Sequence, residues 1–213
     1  MEPAALAMFS GIAAAMVAVP GPDWVFVLAA GTRNRVVLPA VTGLMIGYAL
    51  ITTAVALGVG PVVAAQPVIL TTLSIAGAGY LAYLGIGILR SARTAAPAGA
   101  AAHDTPCWGA FIRRGIGVTA LNPKALLLFL AILPQFARPS APWPMPAQLA
   151  VLGAVFIAFA AVFYTMLGYL ADRVFGPRPR LNAIISRVAG IAMLAVGALM
   201  LGEQAIHAWP GNA

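Results

Sequence analysis

Long apolar stretches dominate this chain and leave few charged residues between them. Hydrophobic residues make up 62% of the 213 positions and charged residues 8%, whereas a soluble domain carries roughly 25% charged residues. A folded surface with so little charge would present large apolar patches to water. The pattern therefore excludes a soluble globular domain, a disordered chain and a peripheral membrane protein, and it predicts an all-α integral membrane protein.

Six apolar stretches are long enough to cross a bilayer, because a spanning helix needs about 20 apolar residues. They cover approximately residues 3–30, 36–63, 67–89, 115–136, 147–170 and 183–205, and the longest loop covers about 90–114. These stretches fill the chain, so we expect one transmembrane domain over residues 1–213 and no second, soluble domain.

The basic residues predict how the spans are oriented. Ten of the twelve lie in or beside the loops that follow the first, third and fifth spans, and cytoplasmic loops of membrane proteins carry an excess of Lys and Arg. We therefore expect these three loops in the cytoplasm and both termini outside it. The basic residues are scattered, so the net charge of +7 indicates orientation rather than a nucleic-acid partner.

Proline interrupts two of the spans, and in both a charged residue follows. Residues 20–22 (Pro-Gly-Pro) precede Asp23 in the first span, and residues 122–123 (Asn-Pro) precede Lys124 in the fourth. Proline removes a backbone donor, and every backbone polar group in hydrocarbon must find an internal partner, so both helices should open at these points. Because a charge at mid-membrane costs a few kcal/mol, Asp23 and Lys124 are candidates for function.

The two interruptions lie in spans one and four, which are corresponding elements if the six spans form two halves of three. An odd number of spans in each half would invert the second half relative to the first. Discontinuous helices in matching positions of two halves are typical of a transporter substrate site. The pattern therefore favours a 3+3 inverted repeat in which helices one and four are broken in mid-membrane.

A simpler structural explanation exists for each feature. A proline can merely kink a membrane helix, Asp23 could be a buried and satisfied side chain, and Lys124 could extend towards the interface. The two charges could also pair with each other, and Gln135 could face a pocket mouth or cap a helix. The pattern Gly43-x3-Gly47 is interpreted as close helix packing. The candidate substrate-binding or coupling residues are Pro20, Gly21, Pro22, Asp23, Asn122, Pro123, Lys124 and Gln135.

No arrangement of residues indicates a cofactor or a metal. One cysteine, Cys107, and two histidines are too few for a protein-ligated zinc site. The spans contain no Ser-His pairing, no H-E-x-x-H and no carboxylate pair. We therefore expect no enzyme, no cofactor and no nucleic-acid partner. The expected partners are the lipid bilayer and a small-molecule substrate, with homo-oligomerisation left open.

Three motifs resemble the signatures of the lysine exporter (LysE) superfamily. Val19–Asp23 is similar to the signature near its start, Leu121–Ala125 with Leu133–Phe136 resembles the second signature, and Gly77–Gly85 looks like the third-span pattern. The likeness covers nearly the whole chain, in order and with compatible spacing. The branch that it resembles most is the homoserine/threonine resistance (RhtB) type, although Ile51 stands where many members have a histidine.

This resemblance implies a secondary transporter that exports amino acids or close derivatives across the bacterial inner membrane, usually assumed to be proton-coupled. Lys124 or a half-helix N-terminus would then hold the carboxylate of a zwitterion, and Asp23 the ammonium. Asp23 is also the candidate proton carrier. The departure at Ile51 suggests a more apolar substrate. A channel or exporter for another small solute or ion is the alternative.

Overall fold

The computed structural model describes residues 3–31, 36–58, 67–94, 107–138, 140–175 and 179–208, and every regular element in these ranges is helical. The predicted all-α class is therefore confirmed. In chain order the helices are α1 (Pro3–Ala18), α2 (Pro22–Gly31), α3 (Val37–Ala56), α4 (Pro67–Thr94), α5 (Trp108–Ala120), α6 (Pro123–Leu127), α7 (Met145–Phe175) and α8 (Pro179–Ala208). A π-helical turn (Leu128–Ile132) and a 3₁₀ turn (Leu133–Phe136) continue α6.

Two helical segments are each long and apolar enough to cross a membrane, namely Val37–Ala56 and Met145–Val174. Two bent pairs also qualify if each pair forms one span: α1 with α2, bent by 59°, and α5 with Lys124–Phe136, bent by 57°. Shorter apolar segments, Ile75–Arg90 and Arg187–Gly202, lie within α4 and α8. Length and composition thus allow up to four spans within the described residues, and the count of six stays a prediction.

Several helices extend beyond the apolar stretches that predict them. The helix α5 begins at Trp108 rather than near residue 115, and α4 continues to Thr94. Lys and Arg are good helix formers, so basic residues can mark the edge of a span without ending its helix. The loop expected at 90–114 is correspondingly shorter, and its central part, together with Arg33 and Arg35, lies outside the described residues.

Both predicted interruptions are present as helix breaks. The first separates α1 from α2, which begins at Pro22, and the second separates α5 from α6, which begins at Pro123. The N–H groups of a first helical turn have no acceptor within the helix, so proline is well tolerated there. Each proline therefore starts a new helix at a new angle instead of kinking a continuous one.

The helix α3 occupies the centre of the described structure. It packs along α5 on one side and α7 on another, while α7 also contacts α1 and α2. The helices α4 and α8 pack along each other and share a smaller buried cluster. The main core draws residues from every helix of the described structure, and its largest buried side chains include Phe9, Leu44, Phe129, Leu152 and Tyr164.

Glycines on α3 allow its close approach to α5. A Cβ atom at Gly43 would collide with the backbone of Ile112, and one at Gly47 would collide with Thr119. The interpretation of Gly43-x3-Gly47 as a packing motif is therefore confirmed. The contact has a second effect, because it presses Thr119 against α3 beside the helix breaks.

A buried glutamine fixes the proline-rich loop that precedes α7. The side chain of Gln148 is 1% exposed. Its Oε1 accepts from the N–H of Arg138 at 3.0 Å, and its Nε2 donates to the carbonyls of Arg138 at 2.9 Å and Trp143 at 2.8 Å. This one side chain thus satisfies three backbone groups of the loop.

Candidate functional site at the two helix breaks

Asp23 lies in the first turn of α2 and is 4% exposed. Three side chains donate hydrogen bonds to its carboxylate. Tyr48 Oη and Asn122 Nδ2 donate to Oδ2 at 2.7 and 2.9 Å, and Thr119 Oγ1 donates to Oδ1 at 3.4 Å. A buried charge is tolerated only when it is paired or hydrogen-bonded. These donors, drawn from α3, from α5 and from the break before α6, therefore explain how a carboxylate can be held inside the core.

Lys124 contacts the other break, between α1 and α2. Its Nζ donates to the backbone carbonyls of Met16 at 2.7 Å and Val19 at 2.6 Å. In an uninterrupted helix the carbonyl of Met16 would accept from the N–H of residue 20. Residue 20 is proline and has no N–H. The ammonium of Lys124 therefore takes the place of the donor that Pro20 removes.

Trp24 satisfies a further carbonyl at the same break. Its Nε1 donates to the carbonyl of Val17 at 2.9 Å. In a continuous helix that carbonyl would accept from the N–H of residue 21, which the bend carries away. Side chains from α2 and from α6 therefore supply donors to the end of α1, as hydrocarbon surroundings require.

Asn122 links the two breaks. Its side-chain Oδ1 accepts from the backbone N–H of Lys124 at 3.0 Å, which caps the N-terminus of α6. Its Nδ2 donates to Asp23, on the other broken segment. One buried amide thus uses its acceptor to begin a helix and its donor to hold the carboxylate.

These side chains enclose a central cavity of about 10 Å³. That volume is close to the space needed by one water molecule, and far below the roughly 300–1,000 Å³ of a typical ligand pocket. The site is therefore closed in this structure. The residues that line the central cavity are Met16, Asp23, Tyr48, Asn122, Lys124, Ala125, Leu128, Phe156 and Tyr164.

Aromatic rings form one wall of the central cavity. The ring of Tyr48 stacks on Phe129 with centroids 5.7 Å apart and meets the edge of Phe156 at 5.0 Å. Tyr164 is 1% exposed and also borders the cavity. Such an apolar wall lowers the local dielectric constant and strengthens the interaction between charges that face the cavity.

The structure brings most of the predicted site residues together. The two charged residues border the same cavity, but the hydrogen bonds that Asp23 accepts come from side chains, and those that Lys124 donates go to backbone carbonyls. Gly21 lies at the bend, where an added Cβ would stand 3.7 Å from the Cδ of Lys124. Pro20 lies beside it, and Pro22 and Pro123 begin α2 and α6.

Gln135 is placed differently from the other predicted residues. It lies on the 3₁₀ turn Leu133–Phe136, its side chain is exposed, and it is not among the residues that line the central cavity. The alternatives of a pocket-mouth residue and a capping residue were open from the sequence. The position of Gln135 gives no support to a role at the mouth of the central cavity.

Sequence reasoning missed Tyr48, Thr119 and Trp24. Tyr48 directly follows Gly47 of the packing motif, and Thr119 precedes Asn122 by one helical turn. Hydroxyl groups near an intramembrane charge are the signal that could have identified Tyr48 and Thr119, since a buried carboxylate requires donors. That signal is weak, because tyrosine and threonine also occur in ordinary packing positions.

Known proteins resemble this chain over most of its length. Residues 14–204 match the family model described as LysE type translocator. An uncharacterised membrane protein of Pseudomonas aeruginosa is 31% identical over 191 residues, which is 85% of this chain and 87% of that protein. A homoserine/homoserine lactone efflux protein of Salmonella typhimurium is 29% identical over 172 residues, 80% of this chain and 82% of that protein.

A leucine efflux protein of the same Salmonella species is 34% identical over 130 residues, 60% of each chain. No solved structure matches the chain. The family match includes both helix breaks and every residue that lines the central cavity. The chain therefore belongs to the LysE type translocator family, and it is a membrane transporter rather than an enzyme.

Proposed function

We propose that this protein exports amino acids or close derivatives across the bacterial inner membrane and that the central cavity is its substrate-binding or coupling site. One observation carries the proposal: a carboxylate and an ammonium, each at a helix break, border one cavity. This pair of charges complements the ammonium and carboxylate of a zwitterionic amino acid. The names of two relatives, a leucine efflux protein and a homoserine/homoserine lactone efflux protein, support the same substrate class.

Substrate binding in this proposal exchanges internal partners for substrate groups. The substrate carboxylate binds Lys124 in place of the carbonyls of Met16 and Val19, and the substrate ammonium binds Asp23 in place of one or more of its donors. Because the central cavity holds about 10 Å³, these exchanges require the bend between α1 and α2 to move. Substrate occupancy and helix position are thereby linked, as a transporter requires.

We also propose that the helices form six spans in a 3+3 inverted repeat, with both termini outside the cytoplasm. The packing supports this arrangement, because α3 contacts α7 and α4 contacts α8. In the proposed repeat, α3 and α7 are the second spans of the two halves, and α4 and α8 are the third spans. Each of these helices therefore contacts the corresponding helix of the other half. The two broken spans correspond in the same way, since Asp23 at one break accepts a hydrogen bond from Asn122 at the other.

Proton coupling is a further part of the proposal, with Asp23 as the proton carrier. It is a carboxylate inside the core, and a proton bound there would reduce its need for three donors. Release of Tyr48 or Thr119 from the carboxylate would then loosen the contact of α2 with α3 and α5. Protonation and helix movement are therefore connected through the same hydrogen bonds.

The test is efflux of a panel of amino acids from loaded cells that express the protein or its Asp23→Asn variant. The variant keeps the shape of the side chain and removes the charge, so we expect export to fall by about tenfold or more, which corresponds to about 1.4 kcal/mol. Membrane abundance must be equal in the two strains. Full activity of Asp23→Asn would contradict the assigned role. Poor competition by amino acids, with ion uptake into proteoliposomes, would favour the channel alternative.

A further inference from the structure

A second cavity, of about 340 Å³, lies between α2, α4 and α5. We call it the arginine cavity, because Arg90 from α4 and Arg114 from α5 both line it. Its volume falls within the roughly 300–1,000 Å³ range of small-molecule pockets. Unlike the central cavity, it is large enough for a solute in the present structure. Aromatic and aliphatic side chains, including Phe26, Leu84, Ile88 and Phe111, form the rest of its wall.

The position of Arg114 is fixed by its neighbours. Its guanidinium lies over the ring of Phe111, 5.5 Å from the centroid, in a cation–π contact. The hydroxyl of Tyr80 on α4 donates to the backbone carbonyl of Arg114 at 3.3 Å. The guanidinium, resting on Phe111, presents a planar pair of donors, which matches the two oxygens of a carboxylate.

The arginine cavity adjoins the central cavity along two helices. On α2, Asp23, Phe26 and Ala30 are spaced at i, i+3 and i+7, so they share one face, and Phe26 lies about 4.5 Å along the axis from Asp23. On α5, Thr119 donates to Asp23 and stands five residues from Arg114, about 7.5 Å along the axis. A solute in the arginine cavity is therefore about one or two helical turns from the central cavity.

The arginine cavity lies at the end of the bundle where the basic loops begin. Arg90 is near the end of α4 and Arg114 is at the middle of α5, about two turns from its start, and the loop that joins these helices is one of those predicted to be cytoplasmic. An exporter receives its substrate from that side. The cavity thus occupies the position of a first binding site on the export route.

We propose that the arginine cavity is a cytoplasmic loading site, in which Arg114 and Arg90 bind the carboxylate of an amino acid with an apolar side chain before it reaches Asp23 and Lys124. This inference rests on the proposed function and adds the substrate class. The guanidinium groups select a free carboxylate, and the apolar wall selects an aliphatic or aromatic side chain. The ammonium of the substrate remains available for Asp23.

The test compares Arg114→Gln with Arg113→Gln in transport into inside-out vesicles. Arg113 is adjacent and exposed, and it is not among the residues that line the arginine cavity, so its variant matches the loss of charge. The probes are leucine and leucinamide, which lacks the carboxylate. For Arg114→Gln we expect the half-saturating leucine concentration to rise about tenfold, with the maximal rate within about twofold of wild type. Leucinamide, which lacks the carboxylate that Lys124 requires, should be transported poorly by wild type and by both variants, and Arg113→Gln should resemble wild type for leucine.

Several outcomes would overturn the loading site. If wild type exports leucine and Arg114→Gln leaves its half-saturation unchanged, the inference fails while the proposed function stands. A fall in maximal rate alone would indicate a structural role for Arg114. Thermal stabilisation by phosphatidylglycerol but not by leucine, lost in Arg114→Gln, would identify a lipid head-group site instead. If wild type transports no amino acid, the proposed function fails as well.

Discussion

At the scale of single residues, Asp23 and Lys124 face one cavity but are held by different kinds of partner. The donors to Asp23 are side chains on three elements, whereas the acceptors of Lys124 are backbone carbonyls of one broken helix. Loss of the carboxylate should therefore weaken the contacts of α2 with α3, with α5 and with the second break. Loss of the ammonium should instead weaken the bend between α1 and α2. Substitutions at these two positions should accordingly differ in what they destabilise.

Replacement of Lys124 by methionine should reduce stability as well as transport. The variant leaves the carbonyls of Met16 and Val19 without their donor, and a hydrogen bond to a charged group contributes about 1.5–3 kcal/mol. We expect a lower thermal unfolding midpoint for the purified protein in detergent. Lys124→Arg keeps donors on a long side chain and should recover much of the loss. Equal midpoints for Lys124→Met and wild type would show that the carbonyls find other partners.

The sequence allowed Asp23, Asn122 and Lys124 to be predicted because a charge or amide beside proline in an apolar stretch is conspicuous. It did not allow Tyr48 or Thr119 to be predicted, because their contact with Asp23 depends on how α3 and α5 pack. Ile51 illustrates the same limit. It is a buried residue of α3, one turn after Tyr48, and the hydroxyl of Tyr48 rather than a side chain at position 51 reaches the carboxylate.

At the scale of helices, the contact between α3 and α5 positions the donors of the site. Gly43 and Gly47 bring α5 close to α3, where Thr119 packs against Gly47 and donates to Asp23. The breaks could be predicted from the chemistry of proline alone, since it is local. The bend angles of 59° and 57° could not, because they depend on side-chain donors from distant parts of the chain.

Replacement of Gly43 by alanine should separate α3 from α5 and weaken the site. The added Cβ would meet the backbone of Ile112, which cannot move aside as a flexible side chain can. Overpacking of this kind typically costs about 1–3 kcal/mol. We expect a lower unfolding midpoint together with reduced export.

The matched control for this prediction is Gly11→Ala in α1. No atom outside its own helix lies within 4 Å of an added Cβ at Gly11, and alanine is favoured over glycine in a helix by about 1 kcal/mol. Gly11→Ala should therefore equal or exceed wild type in stability. The packing argument would be contradicted if the two variants behaved alike.

At the scale of the whole molecule, charge distribution predicts orientation and helix contacts support two related halves. The all-helical class could be predicted because the apolar stretches are long enough to cross a bilayer as helices and few charges interrupt them. The order of the helices around α3 was not predictable, since apolar faces on every side of a helix specify no particular neighbour. Family membership places the chain among translocators without determining which face is cytoplasmic.

The single cysteine offers a direct test of orientation. Cys107 is exposed just before α5, on the side predicted to be cytoplasmic. A membrane-impermeant maleimide should label the protein in inside-out vesicles. It should not label the protein in cells whose outer membrane has been permeabilised and whose inner membrane is intact. Cys107→Ser provides the unlabelled control. Labelling in cells but not in inside-out vesicles would reverse the predicted topology and place the arginine cavity on the outer face.

Lys124 uses two of the three N–H donors of its ammonium to hold the carbonyls of Met16 and Val19. A neutral solute with one acceptor can bind the third donor and leave α1 where it is. A carboxylate offers two oxygens, so its full binding withdraws the ammonium from at least one carbonyl and loosens the bend. In the proposed mechanism, leakage of small metabolites that lack a carboxylate is therefore prevented without a selective filter, because only a cargo that carries a carboxylate releases the helix that closes the route.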